Sequence, residues 1–183
     1  MLEVGGVSLL DTAIEATSAA HNTVVVGPER PTEREVIWTE EEPTGGGPAA
    51  GIIAGLASLA APSLVTPSSA AHPSSAEWVL VIAVDQPGVA QMLPGLIEAA
   101  AHTESKVDGL CPRDSRGQEQ WLLAAYRTQS LRSACEGLGT GHNLPVKRLV
   151  RDLTVEQISA SQEHIGDINT WADHETWSKR TSR

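Results

Sequence analysis

Val79-Leu80-Val81-Ile82-Ala83-Val84-Asp85-Gln86-Pro87 decides the reading of this 183-residue chain. Six apolar residues in a row, rich in Val and Ile, predict a strand covered on both faces, as in the middle of a parallel sheet. One carboxylate, Asp85, stands at its carboxyl end. Pro87 stops the ladder soon after, because proline has no amide hydrogen to give. Ligands of open α/β sheets gather outside the carboxyl ends of the strands. An Asp held there by a rigid strand can hold a hard divalent cation that bridges phosphates. The same Asp can equally be a turn residue that caps the next helix. This stretch alone leaves both readings open.

Working outward, the strand is flanked by helices. After it, Val89 to Ala101 places Met92, Leu93, Leu96, Ile97 and Ala100 on one face, which predicts a helix. Before it, Pro48 opens a second helix with Ala49, Ile52, Ile53, Leu56 and Leu59 inward. Proline suits a first helical position, and Gly45-Gly46-Gly47 just ahead lets a backbone approach a ligand closely. The alternative is a plain loop before a well-started helix. Glu40-Glu41-Glu42 argues against direct phosphate contact at this loop. Carboxylates there suit a base or a sugar, whose amino, imino and hydroxyl groups they accept from. Ala61 to Ala76, rich in Ser, Pro and Ala, reads as an exposed loop.

The rest alternates in the same way. Leu2 to Val7 with Gly5-Gly6 suggests a strand or hairpin, and Ser8 caps a helix running from Leu9 to Ala16. Thr23 to Val26 is a buried strand closed by Gly27-Pro28, and Glu35 to Trp38 a short one. Val107 to Cys111 and Gln120 to Tyr126 flank a polar turn at Arg113 to Gly117 and predict a hairpin. Thr128 caps a helix, Leu144 to Leu153 forms a basic one, and Val155 to Ile158 is a strand. Gly166 to Thr170 is a turn into a final helix, Trp171 to Lys179. Strands alternating with helices predict a three-layer α/β/α fold around a mostly parallel, doubly wound sheet. All 183 residues fit a single domain.

The net charge of -10 excludes a broad attraction to nucleic acid or to an anionic membrane. Phosphates must then be handled locally, by backbone amides, a few cations or a metal. Cys111 and Cys135 make no disulfide framework and have no metal-binding spacing or neighbouring base. No apolar run approaches the ~18 residues of a membrane span. Together with the lack of a signal-type start, this predicts a cytoplasmic protein. Asp167 and Asn169 can supply a second oxygen to a metal held by Asp85, or simply form a helix entry turn. The His164, Asp167 and His174 group matches no standard zinc spacing.

In order, these segments resemble the molybdenum cofactor guanylyltransferases, within the glycosyltransferase-A-like nucleotidyltransferases. Val24-Val25-Val26-Gly27-Pro28 is similar to the family's second strand and nucleoside-facing turn. Gly46-Gly47-Pro48-Ala49-Ala50-Gly51 resembles its Gly-Pro-Leu-Ala-Gly motif. Asp85-Gln86-Pro87 resembles its Asp-x-Pro metal motif, and Asp167-Ile168-Asn169-Thr170 its closing Asn-Thr-Pro motif, with Trp171 in place of the Pro. Leu2 to Leu10 resembles the segment that follows the family's nucleotide loop. By that resemblance the first strand and a loop of the type Leu-x-Gly-Gly-x-Ser-x-Arg-Met-Gly-x-x-Lys are absent from the chain.

The resemblance implies an Mg²⁺-dependent transfer of GMP from GTP to molybdopterin or its molybdenum-loaded form. The products are the dinucleotide cofactor and pyrophosphate. It implies Asp85 as catalytic metal ligand, with Asn169 on the same ion. It places the nucleotide against Gly27, Pro28, Glu42, Gly46, Gly47, Pro48 and Asp85, with Glu42 reading guanine. Gln120 falls on the pterin side. Molybdoenzymes or other cofactor-synthesis proteins are the implied partners. The alternatives are another NTP transferase of the same fold, or a paralogue that binds nucleotide or pterin without turnover. Without the triphosphate-cradling loop, the polypeptide by itself is expected not to catalyse transfer.

Overall fold

The structure, a computed structural model, describes residues 2–60, 76–161 and 163–181. The loop predicted from Ala61 to Ala76 lies, but for Ala76, outside the described residues. The chain opens with an antiparallel hairpin, β1 (Glu3–Val4) and β2 (Val7–Ser8), turned through Gly5 and Gly6. Ser8 then caps α1 (Leu9–Ala16), its hydroxyl oxygen accepting from the Asp11 amide at 3.0 Å. This satisfies one of the amides that a helix start leaves orphaned. β3 (Val24–Val26) and β4 (Ile37–Thr39) pair in parallel. α2 (Pro48–Ala60) starts at the predicted proline.

β5 (Trp78–Ile82) comes next, then α3 (Val89–His102), β6 (Gly109–Pro112) and β7 (Leu123–Arg127). α4 (Thr128–Cys135), α5 (Val146–Leu149), β8 (Val155–Ile158) and α6 (Trp171–Thr181) complete the chain. The larger sheet has the order β5-β7-β6-β8. β6 and β8 are parallel, and β7 runs antiparallel to both of its neighbours. The predicted hairpin of β6 and β7 is therefore present. The polar turn joining them is too short for the crossover that a parallel pair needs.

Helices cover both faces of the sheet, which is the predicted three-layer α/β/α arrangement, but the sheet is mixed rather than mostly parallel, because the β6–β7 hairpin sets β7 antiparallel to both neighbours. On one face α3 presents Val89, Met92, Leu93 and Leu96 to Leu110, Leu123 and Ala125, and Ala13 of α1 joins them. On the other, Ala49, Ile52 and Leu56 of α2 pack with Cys111, Ala124, Tyr126, Leu131 and Leu149. Leu96 is fully buried, worth roughly 1.5–3 kcal/mol by area transfer.

Two further expectations differ. The apolar run predicts a mid-sheet strand buried on both faces, whereas β5 lies at the edge of the four-stranded sheet. It is hydrogen-bonded to β7 alone among the described residues, and is half-buried along its length. β3 and β4 form a separate ladder. α2 bridges the two: Gly51 and Gly55 lie against Val26, while Val79 and Val81 of β5 pack on the same cluster as Ile52 and Leu56. Hydropathy reports how apolar a strand is, not which strands lie beside it. The basic helix from Leu144 to Leu153 shrinks to the single turn of α5. Beyond it, Asp108 accepts the Thr154 amide at 2.9 Å and draws the chain into β8.

Candidate active site

The carboxyl end of β5 carries Asp85 on a turn stitched to two other segments. The Ala83 amide donates to Leu122 O at 2.8 Å, so the chain just before β7 lies against the end of β5. On the other side the Ile168 amide donates to Asp85 O at 3.0 Å. Gly88 seals that seam. A Cβ there would stand 2.1 Å from His164 O, so only glycine lets the two backbones meet. Gln86 is the one buried polar residue of the described core, and its Oε1 has no hydrogen-bond partner.

The seam brings Asp167 near Asp85. Incomplete hydration of its packed turn pushes the Asp85 carboxyl pKa up, and the charge of Asp167 adds to the effect. Asn169, the expected second ligand, sits in the same turn with its Oδ1 left open among the described residues. Its Nδ2 donates to Asp167 Oδ2 at 2.7 Å, so its amide holds the carboxylate. The turn is locked behind it: Asp173 accepts the Thr170 amide at 2.8 Å, the Thr170 hydroxyl at 2.7 Å and the Asn169 amide at 3.2 Å. The Thr170 bonds, hydroxyl first, hold the Asp173 carboxyl below its ordinary range. The Asp173 amide returns a bond to Thr170 Oγ1 at 3.2 Å, so Thr170 caps α6 as predicted. Trp171, which stands where the Pro was expected, is 76% exposed.

The glycine loop lies between β4 and α2. Gly45 and Gly47 have φ of 80° and 85°, and Glu41 accepts the Gly45 amide at 3.1 Å. Glu41 is thus spent on shaping the loop, while Glu42 stands exposed beside it. Gly46 is buried; a Cβ there would fall 2.7 Å from the Ala50 Cβ. Gly27, with φ 143°, joins the same end of the small ladder by donating to Thr39 O at 2.7 Å, and Pro28 is exposed. Gln120 is half-buried, its Nε2 donating to Gln118 O at 3.3 Å and its backbone amide to Pro112 O at 3.0 Å.

Other candidates fall away. Burial lifts the Cys111 and Cys135 thiols to about 11, so neither is a nucleophile at neutral pH. His174 Nε2 lies 2.6 Å from Glu3 O, which binds α6 to β1. Among the described residues no three His, Cys, Asp or Glu side chains form a metal cluster. Two cavities lie away from Asp85. One of about 1220 Å³ sits at the opposite end of the sheet, by Arg127, Thr128 and Arg132. One of about 560 Å³ lies between the opening hairpin and α1. Among the described residues no helix is long and apolar enough to cross a membrane.

A mixed sheet between helical layers, with an acidic turn and a glycine loop at strand ends, defines a nucleotidyltransferase fold. Residues 1–157 match the family described as the MobA-like NTP transferase domain, and the chain belongs to that family. Solved structures share the fold at low identity. Molybdopterin-guanine dinucleotide biosynthesis protein A from Archaeoglobus fulgidus is 19% identical with a TM-score of 0.63, covering 98% of this chain and 88% of that one. The 2-C-methyl-D-erythritol 4-phosphate cytidylyltransferase from Thermus thermophilus is 18% identical with a TM-score of 0.70, covering 100% and 93%. A nucleotidyl transferase from Methanothermobacter is 18% identical with a TM-score of 0.65, covering 100% and 84%. None of the curated proteins matches the chain in sequence.

Proposed function

We propose that the chain carries the site of a guanylyltransferase that moves GMP from GTP to molybdopterin or its molybdenum-loaded form. The single observation that supports it best is the bond from the Ile168 amide to Asp85 O, which sets the closing segment against the metal-motif turn. Two carboxylates, Asp85 and Asp167, then share one region, and the charge of Asp167 adds to the cost that burial puts on charging Asp85. A divalent cation relieves that repulsion, and hard oxygen donors suit Mg²⁺. Asp85 and Asp167 would hold it. Asn169 would serve the same ion by fixing the Asp167 carboxylate through Nδ2, with its Oδ1 still free to act as the ligand that its motif implied. Such an ion would supply charge neutralisation for the transferred phosphate.

Glu42 accepts hydrogen bonds from the imino and amino groups of guanine. Gly27, Pro28, Gly46, Gly47 and Pro48 line the nucleoside, where missing side chains let the backbone come close. Gln120, whose amide bonds Pro112 O at the end of β6, faces the acceptor side. In the transfer a phosphate oxygen of molybdopterin bonds to the α-phosphorus of GTP. The bond from that phosphorus to the α,β-bridging oxygen breaks, and its electron pair leaves with pyrophosphate. Molybdoenzymes or cofactor-synthesis proteins are the partners that would take the product.

The likeness to a cytidylyltransferase keeps a second reading alive, in which the base is cytosine. Titration with Mg²⁺ plus GTP or CTP separates the two. It is run on this chain and on a version lengthened at its amino end by a strand and triphosphate loop of the family type. GTP-dependent binding and turnover by the longer form supports the proposal. Preference for CTP transfers the site to a cytidylyltransferase. Nucleotide binding without turnover assigns a non-catalytic module, and no binding by either form removes the proposal.

A further inference from the structure

The glycine loop has few bonds of its own. Its local ties are the Gly45 amide to Glu41 and the helical bond from Gly51 to Gly47 O at 3.1 Å. A distant segment supplies the rest. Between α4 and α5 the chain turns through Gly139, Gly141 and Asn143, all with positive φ. The Asn143 amide donates to Gly46 O at 2.7 Å. The ring of His142 covers the same glycine, with Nδ1 3.2 Å from where a Gly46 Cβ would stand. Gly141 presses on the first turn of α2: a Cβ there would meet Ile53 Cδ1 at 2.7 Å and Ala49 C at 3.3 Å. The flanks of the turn are anchored in the core, since Leu138, Leu144, Val146 and Leu149 pack with the α2 cluster.

We infer that the Gly139–Asn143 turn is a brace for the glycine loop, and that His142 at its tip is a positioning residue for nucleobase discrimination. This rests on the nucleotide reading above and deepens it. A loop of three glycines samples many conformations unless something outside it selects one. The Gly46 carbonyl is fixed by Asn143 and its Cα face is walled by His142, so the width of the loop is set from a different part of the chain. A base-reading carboxylate such as Glu42 discriminates only if its distance to the base edge is held within a fraction of an ångström.

The test uses His142→Ala and Gly141→Ala in the whole chain, with backbone amide exchange as the primary readout. His142 is exposed, so its variant keeps the fold. Exchange at Gly45 to Gly47 should speed up about tenfold in His142→Ala while β7 amides stay unchanged. Unchanged loop exchange in both variants overturns the brace. Mg²⁺ with GTP and with CTP, titrated into wild type and His142→Ala, reads the second half. Discrimination between them should fall about tenfold, and return toward wild type in His142→Gln, which restores a side chain over Gly46. An unchanged GTP to CTP ratio with altered loop exchange overturns the positioning role. If neither this chain nor its lengthened form binds either nucleotide, the function reading fails, and the exchange data still judge the brace.

Discussion

Asn169 holds Asp167: its side-chain amide donates to the carboxylate at 2.7 Å, two residues away along a turn that is itself bonded to Asp85 through Ile168. On the proposed metal site, Asp167 would bear the charge and Asn169 would hold it in place. Asp167→Asn should weaken Mg²⁺ binding more than Asn169→Ala does. The difference should be about tenfold, because removing a carboxylate costs more than loosening one. Calorimetric titration of Mg²⁺ in the presence of nucleotide measures both.

Asp85→Asn should abolish metal-dependent turnover in a competent form and leave the fold intact. Its pH behaviour gives a second readout. The Asp85 pKa is raised in the folded chain, so between the unfolded value and the raised one the folded state binds more protons. Stability from this group therefore falls as pH rises through that window and stays lower above it. Without metal, Asp85→Asn should melt on the order of 1–2 °C higher than wild type at neutral pH. Metal affinity should weaken as pH drops through the raised pKa. Thermal melts from acid to neutral pH check the sign.

Gly88→Ala should destabilise by about 2–4 kcal/mol, because its Cβ meets a backbone carbonyl that has no rotamer to escape into. Gly95→Ala is the matched control. It lies inside α3 with open space around it and should stabilise by about 0.5–1 kcal/mol. Urea denaturation of both compares them directly. Equal effects would remove the seam between Gly88 and His164.

Cys111 should resist thiol reagents in the native protein at pH 8, where burial keeps it protonated. Cys135, half-buried with its thiol also lifted to about 11, should react slowly. Both should react at once in denaturant. Rapid native labelling of Cys111 would mean that the β6–α2 contact opens.

Much of the local structure was legible because local chemistry specifies it. Ser8, Pro48 and Thr170 start their helices where the sequence says, through caps and a fixed φ that need no tertiary partner. The hairpin of β6 and β7 followed from a short polar turn. The roles of Gly88 and the His142 turn were not legible. Nothing in a single sequence marks a glycine that must admit a carbonyl from seventy-odd positions downstream (His164 against Gly88). Their signal exists only as proximity.

From the order of its residues alone, this chain declared an alternation of helices and strands, an acidic turn at a strand end and a glycine loop before a helix. Those are set by hydrophobic period and backbone preference, which act over a few residues. Tertiary structure decided the rest: that β5 takes an edge position, that the Asp167–Asn169 turn is drawn to Asp85 through the Ile168 amide, and that a remote turn shapes the glycine loop. Each of these depends on which distant segments share space, and loop closure and packing settle that only when the whole core forms.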